Sequence, residues 1–171
     1  QPNRNRLLWV DPSVDGMKTG HTDAAGYCLI ASAMRGDRRV LTVLVGASSE
    51  NARAQESLKL LNWGFQNFDT VKVYDAKQAV VEPKVWKGSV GKAKLGSPSA
   101  IWVTVPRGQA GNVKSTIERT DPLVAPLQAG QQVGTVKLTL NDKPVREVPL
   151  TVLEPVDVAG IFGRAFDAVR L

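Results

Sequence analysis

The chain has 171 residues, 43% hydrophobic and 22% charged, which suits one ordinary globular domain or two small ones and excludes a disordered or collagen-like polymer. Lys and Arg number 22 against 16 Asp and Glu, a formal charge of +6. The basic residues are scattered, so this reads as a basic surface and no nucleic-acid partner is expected. One Cys and one His leave no disulfide within the chain and no Cys/His zinc site.

Val14 to His21 reads as a short extended segment with Gly16 and Gly20 along it, residues that let another backbone approach closely. Two apolar runs follow, Ala24 to Met34 and Val40 to Val45. Arg35-Gly36-Asp37-Arg38 links them, and Gly-Asp at its centre predicts a hairpin. The second run is apolar at nearly every position, which predicts a central strand covered on both faces. Cys28 falls in the first run and reads as a core thiol.

Ala54, Leu58, Leu61, Phe65 and Phe68 recur at helical spacing, predicting a helix that ends near Asn67 and is capped by Ser48, Ser49 or Asn51. Gly64 interrupts that pattern at a cost of about 1 kcal/mol. After Asp69 the period changes to strand-like alternation broken by Gly, Pro and Asn: TVKVY, AVVEP, AIWVTVP, VKSTIE, TVKLTLN and REVPLTVL. Val136, Leu138 and Leu140 point one way, and Asn141-Asp142-Lys143 turns the chain into Val148, Leu150 and Val152. A small antiparallel sandwich or barrel is expected there. Val158, Ile161, Phe162, Ala165, Phe166 and Val169 then form a helical stripe, suited to a membrane surface or to packing on the domain. Trp9, Trp63, Trp86 and Trp102 read as packing residues. The chain opens at Gln1 without Met or signal peptide, which reads as a processed chain or part of a longer product.

Lys18-Thr19-Gly20 is the one short motif with chemistry attached. A strand edge accepts an extended peptide by strand addition, glycine keeps the rail clear, and lysine supplies fixed positive charge. Lys-Thr-Gly is one of three elements of the penicillin-binding serine peptidases and class A β-lactamases, with Ser-x-x-Lys and Ser-x-Asn. NRLLWVDPSVDGMKTGHTDAAGYCLIASAMR and RAQESLKLLNWGFQNFDTV resemble the second half of the catalytic domain of a D-alanyl-D-alanine carboxypeptidase of the penicillin-binding protein 5/6 type. PRGQAGNVKSTIERTDPLVAPLQAGQQVGTVKLTLNDK resembles the β-rich second domain of that family, and GIFGRAFDAVRL the start of its amphipathic membrane anchor.

The resemblance implies an α+β chain in three parts. Residues 1–68 would be the C-terminal part of the catalytic domain, with a partial penicillin-binding/β-lactamase-like fold. Residues 69–154 would be a small all-β sandwich, and residues 155–171 the start of an amphipathic C-terminal helix. It further implies that Lys18, Thr19 and Gly20 bind substrate, that the His21 backbone N–H is an oxyanion-hole donor, and that Arg53 holds the substrate's terminal carboxylate. The expected substrate is the peptidoglycan stem pentapeptide, and β-lactams would acylate the same serine. No cofactor or metal is implied. The expected location is peripheral, on the periplasmic face of the bacterial inner membrane, held by the C-terminal helix. The nucleophile motifs precede Lys-Thr-Gly in the family and are not in this chain, so the missing N-terminal part of the catalytic domain is itself an expected partner and the chain alone should be inactive. Ser89-Val-Gly-Lys92 and Ser49-Glu-Asn51 imitate those motifs in the wrong order. Two alternatives are a non-catalytic β-domain interaction module and a β-lactamase of the same superfamily.

Overall fold

A computed structural model describes residues 2–160. The chain divides into two compact units, residues 1–69 and 70–171.

In the first unit a short helix, α1 (Leu7–Val10), precedes an antiparallel sheet of three strands in the order β1 (Val14–Thr22), β2 (Gly26–Arg35), β3 (Arg38–Ala47). Gly36 takes φ +59 in the tight β2–β3 turn, where Arg35 pairs with Arg38; that left-handed conformation is why glycine sits there. Helix α2 (Glu50–Asn67) follows, and the Ser49 hydroxyl accepts a hydrogen bond from the Ala52 N–H at 3.1 Å, capping its start. The helical stripe Ala54, Leu58, Leu61, Phe65 packs with Leu7, Val14, Leu29, Ala31, Ala33 and Val40 as one core. Gly64 is explained by this packing: a Cβ there would lie 2.9 Å from Val40 Cγ1, so the helix gives up propensity for close contact with β3. At the far end of α2 the Arg38 guanidinium donates to the carbonyls of Gly64, Phe65 and Phe68, satisfying groups that a helix C-terminus leaves open.

A polar staple ties the elements together. Arg35 reaches Asp11 Oδ2 and Asn62 Oδ1, each at 2.8 Å, and lies over the Phe65 ring at 4.4 Å. The Ser13 hydroxyl and backbone N–H, and then Arg35, hold the Asp11 carboxyl below its usual range despite partial burial. A depressed carboxyl contributes stability above its unfolded-state pKa and loses it as pH falls through the lower folded value. Melting temperature measured from about pH 6 down to about pH 2 should therefore fall less steeply at the acid end for Asp11→Asn than for the wild-type chain.

Three expectations fail in this unit. Leu41, Val43 and Val45 are 52, 61 and 72% exposed, so within this unit only the face of β3 toward α2 is covered by a packed element. Cys28 is half-buried rather than core, because it pairs with Gly20 near the turn of the β1–β2 hairpin, away from the packed core at the other end. Trp9 and Trp63 are more than half exposed, since each stands on the outer side of its helix.

The second unit is built of strands. Its main sheet runs β5 (Ala79–Val81), β7 (Leu95–Gly96), β12 (Lys143–Val152), β11 (Gln132–Leu140), β9 (Val113–Arg119). β4 (Phe68–Tyr74) pairs with β8 (Ile101–Pro106), and β6 (Val85–Trp86) runs parallel to β10 (Leu123–Val124). Asn141 and Asp142, with φ 50 and 64, form the two-residue turn of the β11–β12 hairpin, a geometry that Asn and Asp tolerate and that matches strand twist. Ile101, Val103 and Val105 of β8 join Val136, Leu138, Leu150 and Val152 in a second core.

The expected helix over 155–171 does not begin in its first six residues. Val156 is buried and bridges Leu127, Val158 bridges Gly88, and the Ala159 N–H donates to Lys87 O at 2.8 Å. N–H groups committed to distant carbonyls are not available for helical i→i−4 bonds. The rest of that expected helix lies outside the described residues.

Candidate functional site

β1 is an edge strand among the described residues: it pairs with β2 alone, and its backbone from Lys18 to His21 is open on the other side. Beside it lies a cleft of about 640 Å³ lined by Arg4, Lys18, Thr19, Gly20, His21, Tyr27, Glu50 and Arg53. All five residues singled out from the sequence thus meet at one place. The hairpin positions the first four, and the first turn of α2 brings Arg53 to the same cleft.

The hairpin register sets the wall of the cleft. His21 pairs with Tyr27 across the strands, and their rings stack with centroids 4.0 Å apart and planes at 35°. The Arg53 guanidinium lies 5.6 Å from the centroid of the Tyr27 ring, so His21, Tyr27 and Arg53 succeed one another along one side. Packing within the unit does not demand glycine at position 20: a Cβ there would meet only Cys28 Cβ, at an ordinary 3.7 Å. Its missing side chain keeps the rail clear instead. Lys18 is exposed, and its ammonium donates to the Thr19 carbonyl at 2.7 Å.

Arg53 is the most constrained member. Its side chain is 3% exposed, and Nη2 donates to the Arg4 carbonyl at 3.0 Å and to Glu50 Oε1 at 3.1 Å. A guanidinium this buried needs anionic or carbonyl acceptors for its N–H groups. Arg4, Lys18 and Arg53 face a single carboxylate, Glu50, so the cleft carries a net positive field suited to a ligand ending in a carboxylate.

Arg4, Tyr27 and Glu50 were not anticipated. Glu50 had a local signal, since Glu and Arg three apart at a helix start face each other. Tyr27 needed the hairpin register, and Arg4 had none: its carbonyl reaches a side chain 49 residues away. Neither nucleophile look-alike belongs to the cleft. Ser49 caps α2, and Ser89 lies in the second unit, its N–H donating to Asp157 O at 2.7 Å.

Residues 68–158 match the family model described as penicillin-binding protein 5, C-terminal domain, and residues 1–49 match that of D-alanyl-D-alanine carboxypeptidase. The chain is 47% identical over 173 residues to D-alanyl-D-alanine carboxypeptidase DacC of Escherichia coli strain K12, covering 100% of this chain and 43% of that protein. DacF of Bacillus subtilis strain 168, another D-alanyl-D-alanine carboxypeptidase, is 36% identical over 159 residues, covering 92% of this chain and 41% of its own length. Penicillin binding protein 5 from Haemophilus influenzae superposes with a TM-score of 0.84 at 41% identity, over 92% of this chain and 46% of that one. The chain therefore spans less than half the length of these relatives. It belongs to the penicillin-binding protein 5 family of D-alanyl-D-alanine carboxypeptidases.

Proposed function

We propose that this chain is part of a serine-type D-alanyl-D-alanine carboxypeptidase that removes the terminal D-alanine from peptidoglycan stem pentapeptides. The observation that carries this reading is the meeting of an open strand edge, Lys18 to His21, with the Arg53 guanidinium in one positive cleft. The stem-peptide tail adds to β1 as an extended strand. Thr19 and Arg53 hold its terminal carboxylate, and the charge of Lys18 raises the potential at the reacting end. The His21 N–H helps to hold the oxyanion. The nucleophile is a serine of the portion of the family's catalytic domain that this chain does not include. It attacks the D-Ala–D-Ala carbonyl, D-alanine departs, and water hydrolyses the acyl-enzyme.

Residues 1–68 are then the C-terminal part of a penicillin-binding/β-lactamase-like domain. The apolar face formed by Leu41, Val43 and Val45 is the seat of the rest of that domain. Residues 69–154 are an all-β sandwich that lifts the site toward the wall. The stripe Ile161, Phe162, Ala165, Phe166 and Val169 belongs to an amphipathic anchor on the periplasmic face of the inner membrane, which gives reversible attachment.

Labelling with a fluorescent penicillin tests the reading. The full-length protein should form a covalent adduct on a serine outside this chain and should release D-alanine from a pentapeptide. A full-length protein that takes no label is a non-catalytic module. One that rapidly turns over a chromogenic cephalosporin without releasing D-alanine is a β-lactamase.

A further inference from the structure

Glu50 is the one feature of the cleft that opposes its purpose, because it sets a carboxylate beside the cation meant for a ligand's carboxylate. Its Oε1 lies 3.1 Å from Arg53 Nη2 while its own side chain is 50% exposed, against 3% for Arg53. The buried partner is held by the Arg4 carbonyl as well as by Glu50, so Arg53 stays in place when Glu50 lets go. Glu50 has somewhere to go: it is the first residue of α2, where a carboxylate is favoured by the unpaired N–H groups and the positive end of the helix. One partner is thus fixed and the other free to exchange.

We propose that Glu50 is a specificity-determining residue, an internal counter-anion that occupies Arg53 in the empty cleft and is exchanged for the carboxylate of the incoming tail. The proposal rests on the carboxypeptidase reading and adds a determinant to it. The tail displaces an existing ion pair instead of meeting a bare guanidinium, so Glu50 sets the threshold that an anionic ligand must exceed. A short-range carboxylate at this position also repels every acidic group that cannot reach Arg53, which favours ligands whose charge lies at the chain end. Removing the charge while keeping the shape, with Glu50→Gln, should tighten binding of a carboxylate tail and do little for a neutral one.

The experiment uses the full-length protein and two acetylated peptides ending in D-Ala-D-Ala, one with a free carboxylate and one amidated. The selectivity for the free acid, as the ratio of the two kcat/KM values, should rise about three- to fivefold in Glu50→Gln, through a lower KM for the acid, as expected for loss of one half-exposed charge. Glu50→Ala should move the ratio in the same direction. A ratio that stays the same or falls in both variants, or an equal loss on both peptides, overturns the role given to Glu50 and leaves the carboxypeptidase reading intact. Failure of the wild-type protein to release D-alanine from the free acid overturns the reading on which it stands.

Discussion

Replacing Arg53 by Ala should lower kcat/KM on a peptide ending in free D-Ala-D-Ala by about a hundredfold, equivalent to about 2.7 kcal/mol. The guanidinium is buried to 3% exposure and already orients Nη2 through the Arg4 carbonyl and Glu50. Its contact with a carboxylate is therefore preorganised, unlike that of a solvated lysine, and a charge-assisted hydrogen bond of this kind is worth about 1.5–3 kcal/mol. The same peptide with an amidated terminus should lose less than about threefold, because it brings no charge for Arg53 to hold. The contrast between the two peptides isolates the electrostatic role from the structural one. Loss of Arg53 also frees the Arg4 carbonyl and loosens the first turn of α2, which should cost about 1 kcal/mol of stability. Acylation by penicillin is the fold control, and a variant that still takes the label has its nucleophile assembled. Equal losses on both peptides would count against carboxylate recognition by Arg53.

The hairpin, α2 and the paired strands of the second unit were readable because each is local and periodic. Gly36-Asp37 and Asn141-Asp142 mark their turns by residues suited to unusual φ, and Ala54, Leu58, Leu61 and Phe65 trace one face of a helix. The two-residue strands β6, β7 and β10 were not readable. Two residues carry no period, and their partners lie far along the chain. β3 misled for a different reason. A run apolar at nearly every position predicts two covered faces, and Leu41, Val43 and Val45 still bear that pattern, but these three stay more than half exposed. Val158 misled because its spacing fits a helix while a bridge to Gly88 claims its backbone. At the site, Lys18, Thr19 and Gly20 were found by motif, and His21 and Arg53 by resemblance. The burial of Arg53 was not, since arginine in sequence reads as solvent-facing. Only the fold brings the Arg4 carbonyl and Tyr27 around it.

The largest loss of stability should come from a single methyl group in the second unit. Gly134 lies in β11 between β9 and β12, where the register shifts by one residue after Gln132. A Cβ at 134 would fall well inside van der Waals contact of the Glu118 carbonyl oxygen, and 2.9 Å from Arg119 Cα. Both are backbone atoms of the neighbouring strand, so no side chain can turn aside to make room. To admit the methyl group β9 must move, and the pairs from Gly134–Arg119 to Leu140–Val113 loosen with it. Overpacking of this kind costs about 3 kcal/mol, and in a unit of this size that is a fall of about 10 °C or more in melting temperature. Gly96 repeats the situation against Gln78 O and Leu153, and Gly96→Ala should behave alike. Gly111 is the control: nothing lies within 4 Å of a Cβ there and its φ is not left-handed, so Gly111→Ala should be neutral or slightly stabilising through reduced freedom of the unfolded chain. Differential scanning calorimetry of the three variants separates close backbone approach from a general penalty for losing glycine. If Gly134→Ala melts with the wild type, β9 and β11 are not packed as closely as this register requires.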